Sequence, residues 1–185
     1  MYSRIVLLAA ALLMSSTVFS QEMRVQLGNK SAKFSYLTEA FGQDLGRLEL
    51  ETGVLYNTDN DYLLNLGLLV RGESVSIPLI VAIGARLYYS DVKNYHIGAL
   101  AIGGDLLLSP ESWGGLGIGI NYYNAPAIVS FMDAKDVIEY GIYLSYQITP
   151  QANLSLGYRN IDSDIKNVGS VKVDKGGYFG LNISF

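Results

Sequence analysis

"IEYGIYLSYQITPQANLSLGYR", residues 138–159, alternates apolar and polar side chains twice, on either side of a short break. In an extended chain Ile138, Tyr140, Ile142, Leu144 and Tyr146 share one face, while Glu139, Gly141, Tyr143, Ser145 and Gln147 share the other. After "TPQA" (149–152), Leu154, Leu156 and Tyr158 oppose Ser155, Gly157 and Arg159. Two period-two runs joined by a Pro-containing turn predict an antiparallel hairpin.

The same period runs through most of the chain from Leu48 onward. Leu48, Leu50, Thr52, Val54 and Tyr56 oppose Arg47, Glu49, Glu51 and Gly53. "YLLNLGLLVR" (62–71) sets Tyr62, Leu64, Leu66, Leu68 and Val70 against Asn65, Gly67 and Arg71. "LIVAIGARLYY" (79–89), "GLGIGINYYN" (115–124) and the closing run Tyr178–Phe185 repeat it, and "YHIGALAIGGDLLL" (95–108) is the least regular. "MRVQLG" (23–28) and "AKFSYLTEA" (32–40) add two strands joined by "NKS". The count is about ten, eight being the alternative, and an even number returns both termini to one side. Connections alternate between a short set and a longer polar set, the latter being "NTDND" (57–61), "SDVKN" (90–94), 124–136 and 162–175.

A soluble sandwich and a membrane barrel both alternate, so the contents of the two faces must decide. From Leu48 the apolar face carries no charge, and a charge there near a bilayer midplane would cost about 2–4 kcal/mol for Arg or Lys. The polar face is crowded with glycine (Gly67, Gly84, Gly117, Gly119, Gly141, Gly157 and Gly180 among them), which weakens a solvent-facing sheet but suits a narrow lumen. Aromatics on the apolar face gather at strand ends. Tyr56, Tyr62, Tyr89, Tyr122, Tyr140, Tyr158 and Phe179 lie toward one rim, and Phe41, Trp113, Tyr146 and Phe185 toward the other. Two such girdles mark an interface with lipid on both sides. The expected fold is therefore all-β, an antiparallel up-and-down transmembrane β-barrel.

Met1 to Arg4, the apolar run Ile5–Met14 and the small residues ending at Ser20 read as a cleaved signal peptide, residues 1–20, with a single barrel domain at 21–185. Residues 21–185 carry twelve basic and seventeen acidic side chains, a formal charge of −5, which argues against a nucleic-acid partner. There is no cysteine, so neither a disulfide scaffold nor a thiol metal site is available. No His/Cys cluster supports a transition metal, and no cofactor is expected.

Phe179, Leu181, Ile183 and Phe185 end the chain on an alternating apolar series with an aromatic last residue. This resembles the C-terminal signature of Gram-negative outer-membrane proteins, which implies recognition by the barrel-assembly machinery. Through "GGDLLLSPESWGGLGIGINYYNAP" (103–126), 130–161 and the final strand, the chain also resembles the YfaZ family of outer-membrane proteins. That resemblance implies a bacterial outer-membrane location, with lipid and lipopolysaccharide as neighbours, and adds no reaction.

Arg47, Glu49, Glu51, Arg86, Asp105, Glu139 and Arg159 share the inner face. They are expected to pair in a charged network that helps fill the lumen, which eight to ten strands leave narrow. A structural role, a narrow passage or a ligand contact at the surface would then follow. A lipid A-modifying enzyme is the alternative, because His96, the only histidine, is bracketed with Ser90 and Asp91 about one outer loop. By parity, however, His96 shares the face of Leu100 and Ile102 unless Gly98 marks a bulge. Loops 124–136 and 162–175 would serve adhesion, while "DSD" (162–164) and "NTDND" could hold Ca²⁺ or simply be solvated.

Overall fold

The computed structural model describes residues 20–43, 46–74 and 77–185; the expected signal peptide, but for Ser20, lies outside them. The chain forms β1 (Gln21–Gly28), β2 (Ser31–Gln43), β3 (Gly46–Asn57), β4 (Tyr62–Glu73), β5 (Leu79–Val92) and β6 (Tyr95–Leu108). There follow β7 (Leu116–Ala125), the short β8 (Ser130–Met132), β9 (Ala134–Thr149), β10 (Ala152–Ile165) and β11 (Gly169–Ser184). Each long strand pairs antiparallel with its neighbours, and β1 pairs with β11 from Glu22↔Ser184 to Gly28↔Tyr178, so ten strands close a ring. At the seam Gln21 and Phe185 exchange backbone hydrogen bonds of 3.0 and 2.9 Å. Gln21, at the start of β1, and Phe185 lie at this rim, called here the terminal rim; the opposite one is the far rim.

The eleventh strand has a simple cause. β7 stops at Ala125 and pairs β6 only from Ile102 to Leu108, which leaves the far end of β6 without a partner on the edge away from β5. β8 supplies it, pairing Ser130, Phe131 and Met132 with Ala99, Gly98 and Ile97.

Burial alternates as the sequence period requires. Leu64, Leu66, Leu68 and Val70 are all 44–55% exposed, while between them Leu63, Asn65 and Leu69 are buried. The eight residue steps from Leu48 to Tyr56 span about 26 Å along the strand, or about 20 Å along the barrel axis after a strand tilt near 40°. An uncharged apolar belt of that height rings the exterior.

Glycines on the inner face make room for neighbouring side chains. A Cβ on Gly157 would lie 2.7 Å from the Tyr178 ring and 2.8 Å from the Tyr143 Cβ. Gly84 and Gly103 face each other across β5 and β6. There a Cβ would come within 2.8 Å of the Leu69 Cα and 2.6 Å of the Tyr123 Cα, which marks a sharp barrel corner.

Two of the expected long loops are mostly strand. The 90–94 segment closes in a two-residue turn, Lys93–Asn94, with φ of 50° and 67°. Both residues in the left-handed region give the turn whose twist matches a hairpin, so β5 and β6 run on to its edge. Segment 162–175 is likewise strand, turning only at Lys166–Val168, with Asn167 at φ 64°. Here the hydropathy is inverted: Ile161, Ile165, Val171 and Val173 are buried inside, while Lys172 and Lys175 are exposed. The far part of the barrel is thus apolar within and polar without, the reverse of the belt.

Candidate functional site

The lumen has three layers, and the middle one is ionic. β5 carries Arg86 inward, opposite Gly67 of β4, and Gly67 leaves the space its side chain crosses. Arg86 donates from Nε and Nη2 to Glu51 Oε2 at 3.1 and 2.8 Å. It also lies 3.5 Å from Asp105 Oδ2 and 3.6 Å from Glu139 Oε1. Lys33 Nζ is 3.5 Å from the same Glu139 oxygen. Tyr123 places its ring 3.8 Å from the guanidinium carbon and donates its hydroxyl to Asp105. Tyr88 donates to Glu139, as does Asn121 at 3.4 Å, and Asn65 donates to Glu51 at 3.2 Å. Arg86, Glu51 and Glu139 are 2–3% exposed. Buried charges persist only where partners and further hydrogen bonds compensate them, and here each carboxylate receives several donors.

The other expected members of the network sit elsewhere. Arg159 binds Asp174 through Nε at 2.8 Å and Nη2 at 2.7 Å, and its Nη1 donates to Gln26. Glu49 pairs with Arg71 at 2.7 Å. Arg47 pairs with Glu73 at 2.7 Å on the exposed terminal rim. Of the seven, Glu51, Arg86, Asp105 and Glu139 meet; the remaining three form separate pairs because successive inward positions on a strand lie about 7 Å apart. Lys33, Tyr88, Tyr123 and the pair Arg24–Glu22 (2.6 Å) escaped the sequence reading. Parity on β1 and β2 would have found Lys33, Arg24 and Glu22, whereas Asp174 was hidden in the supposed loop.

Beyond the ionic layer, toward the far rim, the interior is an apolar core. Leu55, Leu63, Val92, Ile97, Val137 and Ile161 are 0–1% exposed and pack together with Tyr88 and Tyr123. On the terminal side a cavity of about 300 Å³ runs from rim residues such as Ser109, Gly115 and Ser184 up to Lys33, Glu139 and Arg159. Polar groups without partners also remain on this side, among them Ser155 Oγ and Asn182 Oδ1.

The candidate catalytic trio is not assembled. Asp91 and His96 are cross-strand partners on the outer face, 3.8 Å apart. Ser90 points the opposite way, fully buried, and donates to the Tyr62 carbonyl at 2.7 Å. Adjacent residues in a strand face opposite sides, and Ser90 directly precedes Asp91. Asp61 accepts from the Asn57 side-chain amide of its own turn at 3.1 Å and from the Lys93 amide of the β5–β6 turn at 3.0 Å. Among the described residues no group of three His, Cys, Asp or Glu side chains could hold a metal.

Tyr56, Tyr122, Tyr140 and Phe179 are 42–52% exposed on the outer face, with Tyr89 and Tyr158 each at 36%, and Tyr62 stacks at 6.2 Å from Tyr89. Trp113 ends a short 3₁₀ turn (Glu111–Trp113) at the terminal rim. Leu181 and Ile183 lie on β11, which Phe185 follows.

The chain is similar to several solved structures. One comes from a study of the mechanism of in-meso crystallization of membrane proteins (13% identity, 90% of this chain and 83% of that one, TM-score 0.48). Another is the outer membrane channel DcaP of Acinetobacter baumannii (12% identity, TM-score 0.44), for which 88% of this chain spans 54% of the other. A third is the NanC porin (11% identity, 91% and 99% covered, TM-score 0.41). Among curated proteins none matches. A family model described as YfaZ precursor matches residues 2–185, nearly the full length, and the chain belongs to that family.

Proposed function

We propose that this protein is an outer-membrane β-barrel that conducts no solute and works through its lumen as a closed, inward-facing vestibule rather than as a channel, an adhesin or an enzyme. The observation that carries this is the far-half core: Leu55, Val92, Ile97 and Ala125 are 0–1% exposed and belong to one apolar cluster inside the ring. The apolar belt sets the barrel in hydrocarbon, because strands can cross a bilayer only when every backbone group is paired, as a closed ring allows. The terminal rim, with Gln21 and Phe185, faces the periplasm, the usual sidedness of such barrels. The aromatic C-terminal series that finishes β11 is then its assembly signal.

Three of the earlier alternatives lose support on geometry. A passage would have to thread a core of buried apolar side chains, adhesion would lose one of its two loops because 162–175 is mostly strand while 124–136 is held against β6 by β8, and hydrolysis would need a nucleophile beside His96. Planar-bilayer recording tests the reading. The refolded protein should give no unitary steps, whereas a variant with Tyr88→Ala and Tyr123→Ala together should open measurable ones. Steady single-channel conductance from the wild-type barrel would overturn the proposal.

A further inference from the structure

We propose that the terminal-side cavity is a binding site for a small, uncharged, polyhydroxylated molecule of one or two sugar rings. The inference rests on the reading of the lumen as a dead-ended vestibule and names what enters it. Its volume of about 300 Å³ falls at the small end of ligand pockets, which run from about 300 to 1,000 Å³.

Charge decides the ligand class. Every cation along the wall already has a carboxylate: Arg24 with Glu22, Arg71 with Glu49, Arg86 with Glu51, Lys33 with Glu139 and Arg159 with Asp174. An ionic ligand would have to break one of these pairs and leave its partner uncompensated in a confined space. A neutral solute leaves them intact, and hydroxyl groups can donate to carboxylate oxygens and accept from amides at once.

Hydrogen-bonding capacity remains where such a solute would lie. Ser155 is 5% exposed, lines the cavity and has no partner for its hydroxyl, and Asn182 Oδ1 beside it is also free. Buried polar atoms without partners are costly, and a ligand hydroxyl at this place relieves both. Tyr143, its ring over Gly119, and Tyr178, its ring over Gly157, also line the cavity and offer aromatic surface against which the C–H face of a pyranose can rest.

Titration calorimetry and saturation-transfer NMR on the full barrel in detergent test this, with glucose and maltose as neutral probes and gluconate and glucosamine as charged counterparts. The neutral sugars should saturate with millimolar or tighter dissociation constants, and the charged ones should bind at least tenfold more weakly. Ser145→Phe, which fills the cavity from its wall, should abolish binding, while Arg47→Gln, outside the cavity, should leave it unchanged. Folding of both variants is checked by the heat-dependent gel shift. Preferential binding of either charged probe, binding that survives Ser145→Phe, or no saturation by any neutral sugar up to about 50 mM, beyond the weakest affinities of this class, overturns the inference. If the barrel is silent in bilayers yet binds no sugar, this inference alone fails; if it conducts, the vestibule reading itself is wrong.

Discussion

Above and below the layer of Arg86, Glu51 and Glu139, one strand obeys two opposite rules. Along β10, Leu154, Leu156 and Tyr158 point outward and Ser155 and Arg159 inward; farther on, Ile161 and Ile165 point inward and Asp162 and Asp164 outward. The period resumes after a crossing at which Arg159, Asn160 and Ile161 are all buried, and beyond it the sign is reversed. Below, the surroundings are apolar and the lumen can hold charge and water. Above, water surrounds the barrel and the apolar side chains must turn in to form a core. The lesson is that period identifies a strand, whereas the sign of the period reports the solvent outside it.

The contrast predicts which half tolerates which change. The largest effect belongs to the layer between them. Glu139→Ala leaves Lys33 and the Tyr88 hydroxyl facing no carboxylate and strips one of the three carboxylates around Arg86, and it should cost about 3–5 kcal/mol in denaturant unfolding from detergent or vesicles. In the far half, Leu63→Ala should cost about 2–5 kcal/mol by opening a cavity in close-packed core. The same truncation at Leu66, two-fifths or more exposed in the belt, should cost well under half of that in the same assay. Equal costs would erase the distinction between the halves.

Reversing polarity sharpens it further. Leu66→Arg should cost about 2–4 kcal/mol of insertion free energy, read by urea-dependent partition into lipid vesicles, whereas Lys172→Leu on the far exterior should be close to neutral. Gly157→Ala should cost about 1–3 kcal/mol, because the added methyl meets the Tyr143 and Tyr178 side chains. The smallest effect belongs to the terminal rim. Arg47→Gln removes an exposed ion pair and should change stability by about 0–1 kcal/mol, vanishing at high salt.

The belt was legible in the sequence because lipid forbids exceptions. Every outward position between Leu48 and Val70 had to be uncharged, so Leu64, Leu66 and Leu68 announced the face, and the inward positions of Arg86 and Glu139 followed by parity. The far half was illegible for a matching reason. A reader who expects apolar side chains outside takes Asp162, Asp164, Lys172 and Lys175 for a loop, and that misplacement also hid Asp174 as the partner of Arg159. The turn at Lys93–Asn94 gave no glycine to mark it, since asparagine tolerates the left-handed conformation well enough to serve. Which inward charges would meet was not readable either, because it depends on the stagger between strands and on the corner at Gly84 and Gly103.

The sign reversal along β9, β10 and β11 also fixes how deep the molecule floats. Sinking by one residue pair would carry Lys175, exposed opposite Asn160 one pair beyond Tyr158, into hydrocarbon at a few kcal/mol; rising by the same step would lift Tyr158 out of the interface and bring Leu156 and Phe179 to its edge. The protein therefore carries its own waterline, written in side chains.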